Sequence, residues 1–130
     1  MDQIINLRDF RGEERNPTKE RRLELASREY PGMKVVYVGK GTPLGNPDEK
    51  FLKGEKEDMK ARLESIAKYR IWLWGKIKAE DQDVLAALST IDENTILACW
   101  CHPLPCHSKV IWAAWHYVKS QERANQLQTT

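Results

Sequence analysis

The residues best equipped for chemistry lie in one stretch. Cys99-Trp-Cys-His-Pro-Leu-Pro-Cys-His107 holds all three cysteines of the chain and two of its three histidines. The apolar run Ile96–Trp100 reads as a buried strand, and Pro103 and Pro105 after it cannot continue a sheet ladder. A helical pattern then begins near Ser108 and runs through Val110, Ile111, Ala114, Trp115 and Val118. In an open α/β sheet, ligands bind where the carboxyl end of a strand turns into a helix. Cys106 and His107 would stand at the first turn of that helix. Unpaired N–H groups and the helix dipole favour an anion there, whether a thiolate or a ligand phosphate. Lys109 adds positive charge, and the Ser108 N–H would face a bound anion. A thiolate so placed has a lowered pKa and is a competent nucleophile. Cys106, His107 and Cys101 are therefore the candidate catalytic residues. No carboxylate that would orient the histidine is visible in the sequence.

The same residues allow a metal reading. Cys99, Cys101, Cys106 and His107 could hold zinc as a Cys3His set, or the three thiolates could hold an iron–sulfur cluster. Spacing opposes zinc. Cys99 and Cys101 on one strand face the same side with β-carbons roughly 7 Å apart. Sulfurs on one zinc lie at roughly 3.8 Å from each other, given Zn–S bonds near 2.3 Å. The expectation is a chain without a metal cofactor, with zinc or an iron–sulfur cluster as the alternative. Cys99 itself reads best as a small core residue.

A second loop must face the first if both are to form one site. Val35–Val38 is a β-branched strand candidate. It leads into Gly39-Lys-Gly-Thr-Pro-Leu-Gly-Asn-Pro47, where three glycines in seven residues let the backbone approach a ligand closely. The loop is neither a Walker A motif nor a dinucleotide fingerprint. Gly39, Lys40, Gly41, Thr42, Gly45 and Asn46 are its candidate ligand-binding residues, and the loop taken alone reads equally as a structural turn. A third element is the helical pattern from Glu57 to about Lys78. Met59, Leu63, Ile66, Leu73, Trp74 and Ile77 form its apolar stripe at 100° per residue, with Arg70 in the middle. A guanidinium cannot shed its charge there, so Arg70 is expected inside, directed at an anion near the glycine or cysteine loop, with an internal partner or a side chain that snorkels outward as the alternative.

The rest of the chain supplies the frame. Its 130 residues, 41% hydrophobic and 31% charged, suit one globular domain over 1–124 with a polar tail at 125–130. Ile4–Leu7 is a short strand candidate. Asn16 and Pro17 fit the cap and first position of a helix reaching Glu29, and Asp83–Ile91 fits another with Asp81 or Asp83 near its cap. The order of elements implies an α/β fold: a small, three-layer, Rossmann-like, mostly parallel sheet flanked by helices. A net charge of +2 makes no case for nucleic acid. The basic residues of 19–28 alternate with Glu20, Glu24 and Glu29 as on a solvated helix. No apolar run spans a bilayer and no signal peptide is visible, so a cytoplasmic location is expected, that of the host if the chain is phage-encoded. Oligomeric state is not readable.

Three stretches together resemble a known family: Val36-Tyr-Val-Gly-Lys-Gly-Thr-Pro-Leu-Gly-Asn-Pro47, Tyr69-Arg-Ile-Trp-Leu73 and Leu97-Ala-Cys-Trp-Cys-His-Pro-Leu-Pro-Cys-His107. In this order they are similar to the domain of unknown function 4326, found in phages and bacteria. The resemblance covers roughly residues 3–118, and Asn6-Leu7-Arg8 is similar to the family's opening strand. Residues 12–33 look like an insertion relative to shorter members, and Asp48 stands where the family often has an aromatic. The resemblance implies the fold and a shared site, not a substrate. The functional expectation is binding, and chemical processing, of a nucleotide-like phosphate-bearing small molecule between the two loops. The alternatives are a non-catalytic nucleotide sensor or sequestering protein, and a metal-binding module.

Overall fold

The computed structural model describes residues 3–39, 41–46, 59–100 and 106–128. Among them are three strands, β1 (Ile4–Asn6), β2 (Lys34–Tyr37) and β3 (Thr95–Cys99), and four α-helices, α1 (Lys19–Glu29), α2 (Met59–Lys78), α3 (Gln82–Ser89) and α4 (His107–Gln128). The strands form one parallel sheet in the order β1-β3-β2. The fold is thus of mixed α/β type, with a small three-stranded parallel sheet. Among the described residues no helix is long and apolar enough to cross a membrane.

β3 is central because its sequence permits nothing else. Thr95, Ile96, Leu97, Ala98 and Cys99 are all buried, and a strand apolar on both faces needs cover on both faces. Leu97 pairs with Ile4 on one side and Val36 on the other. The carboxyl ends of β2 and β3 are thereby neighbours, so the loops that leave them start side by side. Thr95 is buried at the opposite end, where its hydroxyl donates to Asp92 Oδ1 at 3.1 Å.

Leu97 belongs to a core shared with Tyr69 and Leu73 of α2, Leu88 of α3, and Ile111 and Trp115 of α4. α4 is pinned to the frame through its indoles. Trp112 donates to the Gln3 carbonyl at 3.0 Å and Trp115 to the Ile91 carbonyl at 2.8 Å. The helix continues through the polar residues 121–128. α1 lies against β2 and the 3-10 turn Leu7–Asp9. It starts two residues later than the Asn16-Pro17 signal suggests, because Thr18 is the cap and its hydroxyl accepts from the Arg21 N–H. Pro17 is instead buried, and its carbonyl accepts from Arg22 Nε at 3.2 Å. At α3 the cap is Asp81, which accepts from the Val84 N–H at 3.1 Å.

Four of the six expected stripe residues of α2 face the core, Leu73 buried in it and Ile66, Trp74 and Ile77 packed against it, but the buried face is turned from the expected one. Met59, Leu63 and Arg70 are exposed, whereas Arg62, Ser65, Tyr69 and Leu73 are buried. At 100° per residue the buried four fall within an arc of about 80°. The bulk of Tyr69, 1% exposed, draws that face inward and carries Arg62 and Ser65 with it.

Candidate functional site

Six polar side chains are buried among the described residues: His107 and Ser108 begin α4, Asn46 follows the loop after β2, Ser65 on α2 bonds to Asn46, and Arg62 lies one helical turn from Ser65. The sixth, Thr95, serves a turn at the other end of the sheet. Burying polar groups costs free energy unless each finds a partner. No buried side-chain nitrogen or oxygen lacks one among the described residues, so this is a built polar centre.

His107 is its hub. Its Nε2 lies 2.7 Å from the Val38 carbonyl, which can only accept, so Nε2 carries the proton. Burial holds the His107 pKa below its ordinary value of 6.5, with the Val38 bond and nearby Cys99 working the other way. A neutral ring with its proton on Nε2 leaves a lone pair on Nδ1. That atom lies 3.6 Å from Cys106 Sγ. The Ser108 hydroxyl is 3.4 Å from the same sulfur, placed to donate to it once the thiol has given its proton to Nδ1. The sequence shows no orienting carboxylate, and here a backbone carbonyl takes that position. The first turn of α4 contains no acidic residue to compete with an anion.

Tyr69 joins this pair to the glycine loop. Its ring meets His107 edge-on, centroids 5.1 Å apart, and its hydroxyl donates to the Leu44 carbonyl at 2.6 Å. The loop closes on itself: the Thr42 hydroxyl donates to the Gly39 carbonyl at 2.7 Å, and the Gly45 N–H donates to the Thr42 carbonyl at 2.9 Å. A β-carbon on Gly45 would overlap the Gly39 carbonyl, and one on Gly39 would overlap the Tyr37 hydroxyl. Gly41, exposed at the tip, has φ +91°, a conformation L side chains rarely adopt. Beyond the turn, Asn46 donates from Nδ2 to Ser65 Oγ at 3.0 Å, one helical turn from Arg62.

The expected site residues divide as follows. Gly39, Gly45, Asn46, Cys106, His107 and Ser108 are buried, Thr42 is half-buried, and Lys109 is exposed. Arg70 is exposed too, which corrects the expectation that it lies inside; the inward guanidinium is that of Arg62, 5% exposed. Lys40 and Cys101 lie outside the described residues. Cys99 is buried beside Cys106, with its Sγ 3.6 Å from the Ile5 carbonyl. Among the described residues no three His, Cys, Asp or Glu side chains are grouped to hold a metal ion. Arg62, Ser65 and Tyr69 were not singled out from sequence as a group. Their signal was spacing: all three continue the helical face of Leu73.

A protein-family model, described as a domain of unknown function (DUF4326), matches residues 23–116. The chain belongs to the DUF4326 family. The matched span takes in the glycine loop, Arg62, Tyr69 and the Cys106–His107 pair, and it begins within the stretch 12–33 that resembled an insertion. No curated protein and no solved structure matches the chain.

Proposed function

We propose that this DUF4326 protein is a thiol-dependent enzyme acting on a nucleotide-like, phosphate-bearing small molecule, with Cys106 as nucleophile and His107 as its base. The observation that carries the reading is the His107–Val38 hydrogen bond, which leaves Nδ1 as a proton acceptor beside Cys106 Sγ. In the reaction the thiol proton passes to Nδ1 and the sulfur bonds to the electrophilic centre of the substrate. The leaving group then departs with the proton from His107. Water, or a second substrate, attacks the Cys106 adduct while His107 takes its proton, and the thiol is restored. Arg62, Asn46 and the N-terminus of α4 hold the phosphate, Arg62 taking the role that Arg70 cannot fill from the surface. The parallel sheet with helices packed about it supports a three-layer, Rossmann-like arrangement, in which the carboxyl edge of the strands is the binding edge. A thiol nucleophile must stay reduced, a condition that the cytoplasm meets.

A second reading, a sensor or sequestering protein, draws on one observation: Cys106 is only 4% exposed. Alkylation separates the two. Iodoacetamide should modify Cys106, phosphate-bearing nucleotides should slow the modification, and Cys106→Ala should keep affinity while losing turnover. Affinity with no turnover of any nucleotide, by the wild-type chain as well, selects the sensor. If neither nucleotides nor inorganic phosphate slow the modification, the phosphate site is refuted.

A further inference from the structure

The two strand ends that supply Val38 and Cys99 carry aromatic residues at the adjacent positions. Trp100 and Tyr37 meet there: the indole N–H donates to the Tyr37 hydroxyl at 3.1 Å. Both rings are half-buried, so each keeps surface open to solvent. Each also has a cation over it, Arg22 at 5.6 Å from the Trp100 centroid and Lys19 at 4.5 Å from that of Tyr37. Arg22 is held in place by the carbonyls of Leu7, at 2.9 Å, and Pro17, at 3.2 Å. Among the described residues it meets no carboxylate, and Lys19 meets only Glu20, at 3.9 Å. The Tyr37 hydroxyl accepts from Trp100, and its own proton finds no acceptor among the described residues. Two half-buried aromatic rings, each with a cation over one face, and a hydroxyl donor make a surface suited to a flat, polar-edged ring attached to negative charge.

We infer that Tyr37 and Trp100, with Lys19 and Arg22, form the base-binding ledge of the cleft and so make the substrate class a nucleotide, not a phosphate alone. The inference rests on the proposed function. It deepens that proposal by placing the base on the α1 side of the strand ends, with the reacting group at Cys106. The two contacts leave adjacent residues at the end of β2: the Tyr37 side chain reaches Trp100, and the backbone carbonyl of Val38 binds His107. Stacking tolerates any base, since every base has a π-face, so the ledge should give affinity with little discrimination among bases.

The test titrates the full chain calorimetrically with adenosine 5′-monophosphate, cytidine 5′-monophosphate, adenosine and ribose 5-phosphate. Both nucleotides should bind about 5- to 150-fold more tightly than ribose 5-phosphate. That advantage should vanish in Trp100→Leu and largely survive in Trp100→Phe, which keeps a π-face. Equal binding of nucleotides and ribose 5-phosphate by the wild-type chain, a comparison that needs no variant, overturns the ledge and leaves the phosphate site standing. An unchanged advantage in Trp100→Leu also overturns it, since the base would then bind elsewhere. Should no phosphate compound bind or protect Cys106, the proposed function fails first. In that case adenosine binding that Trp100→Leu abolishes would keep the ledge, and no adenosine binding would end it.

Discussion

His107 Nε2 donates to the Val38 carbonyl at 2.7 Å, and this bond sets what the residue beside it can do. It fixes the tautomer, leaves Nδ1 open towards Cys106, and links the end of β2 to the start of α4. A residue that binds the Val38 carbonyl without accepting a proton should hold the fold and lose the chemistry. His107→Gln is therefore expected to lower the rate of Cys106 alkylation at pH 7 by about 10²-fold, the usual scale of a general base. Mass spectrometry of the alkylated peptide measures it. An unchanged rate would mean that His107 does not activate the thiol.

Stability should depend on pH through the same ring. The His107 pKa is depressed by burial, so between its folded value and 6.5 the unfolded chain binds the extra proton. The contribution is complete above pH 6.5 and is lost as pH falls through the folded value. Asp81 and Asp92 act at lower pH. The backbone N–H of Val84 holds the Asp81 carboxyl below its ordinary value of 3.8, and that of Asn94 does the same for Asp92. Their contributions are present above 3.8 and disappear as pH drops through the lowered values. Urea midpoints from pH 8 to pH 3 should show two declines, and His107→Gln should flatten the first alone.

Two glycines should respond to alanine with opposite sign. Gly45→Ala drives a β-carbon into the Gly39 carbonyl, a backbone atom that cannot rotate away. The loop must shift, at a cost of about 1–3 kcal/mol, and Asn46 moves with it. Gly75 lies inside α2, and beyond its own helix backbone and chain neighbours no atom of the described residues comes within 4 Å of the β-carbon position. Gly75→Ala should therefore stabilise by about 0.5–1 kcal/mol, the helix-propensity difference. Thermal melts of the two variants decide both signs, and a stabilised Gly45→Ala would contradict the closed loop.

How far the sequence could be read depended on how local each signal was. β2 and β3 were legible within one residue because β-branched runs bounded by turns are local signals. The meeting of the two loops was only conditional, since strand order depends on contacts between residues about 60 positions apart, such as Val36 with Leu97. The Cys106–His107 pair was found from residue types and a helix start. Its orienting group was not, because a backbone carbonyl carries no mark in a sequence. α2 was misread for a different reason. Counting only aliphatic residues and tryptophans put Arg70 on the buried face, whereas Tyr69 and Leu73 define that face and Arg62 lies on it.

The two arginines yield the last prediction. Arg62 is 5% exposed on the helix face that meets Asn46 through Ser65, and Arg70 stands on the outer face of the same helix. If Arg62 binds the phosphate, Arg62→Lys should already weaken it, because an ammonium cannot present two parallel N–H donors to an anion. The loss should be about 1.5–3 kcal/mol of binding, the scale of hydrogen bonds to a charged group. Arg70→Lys should leave affinity unchanged, and Arg70→Ala should change stability by less than about 0.5 kcal/mol. Calorimetric titration with a nucleoside monophosphate and urea melts of the three variants provide the comparison. Equal losses from Arg62→Lys and Arg70→Lys would return Arg70 to the anion site and mean that α2 turns when ligand binds. No loss from Arg62→Lys would leave its guanidinium a purely structural group.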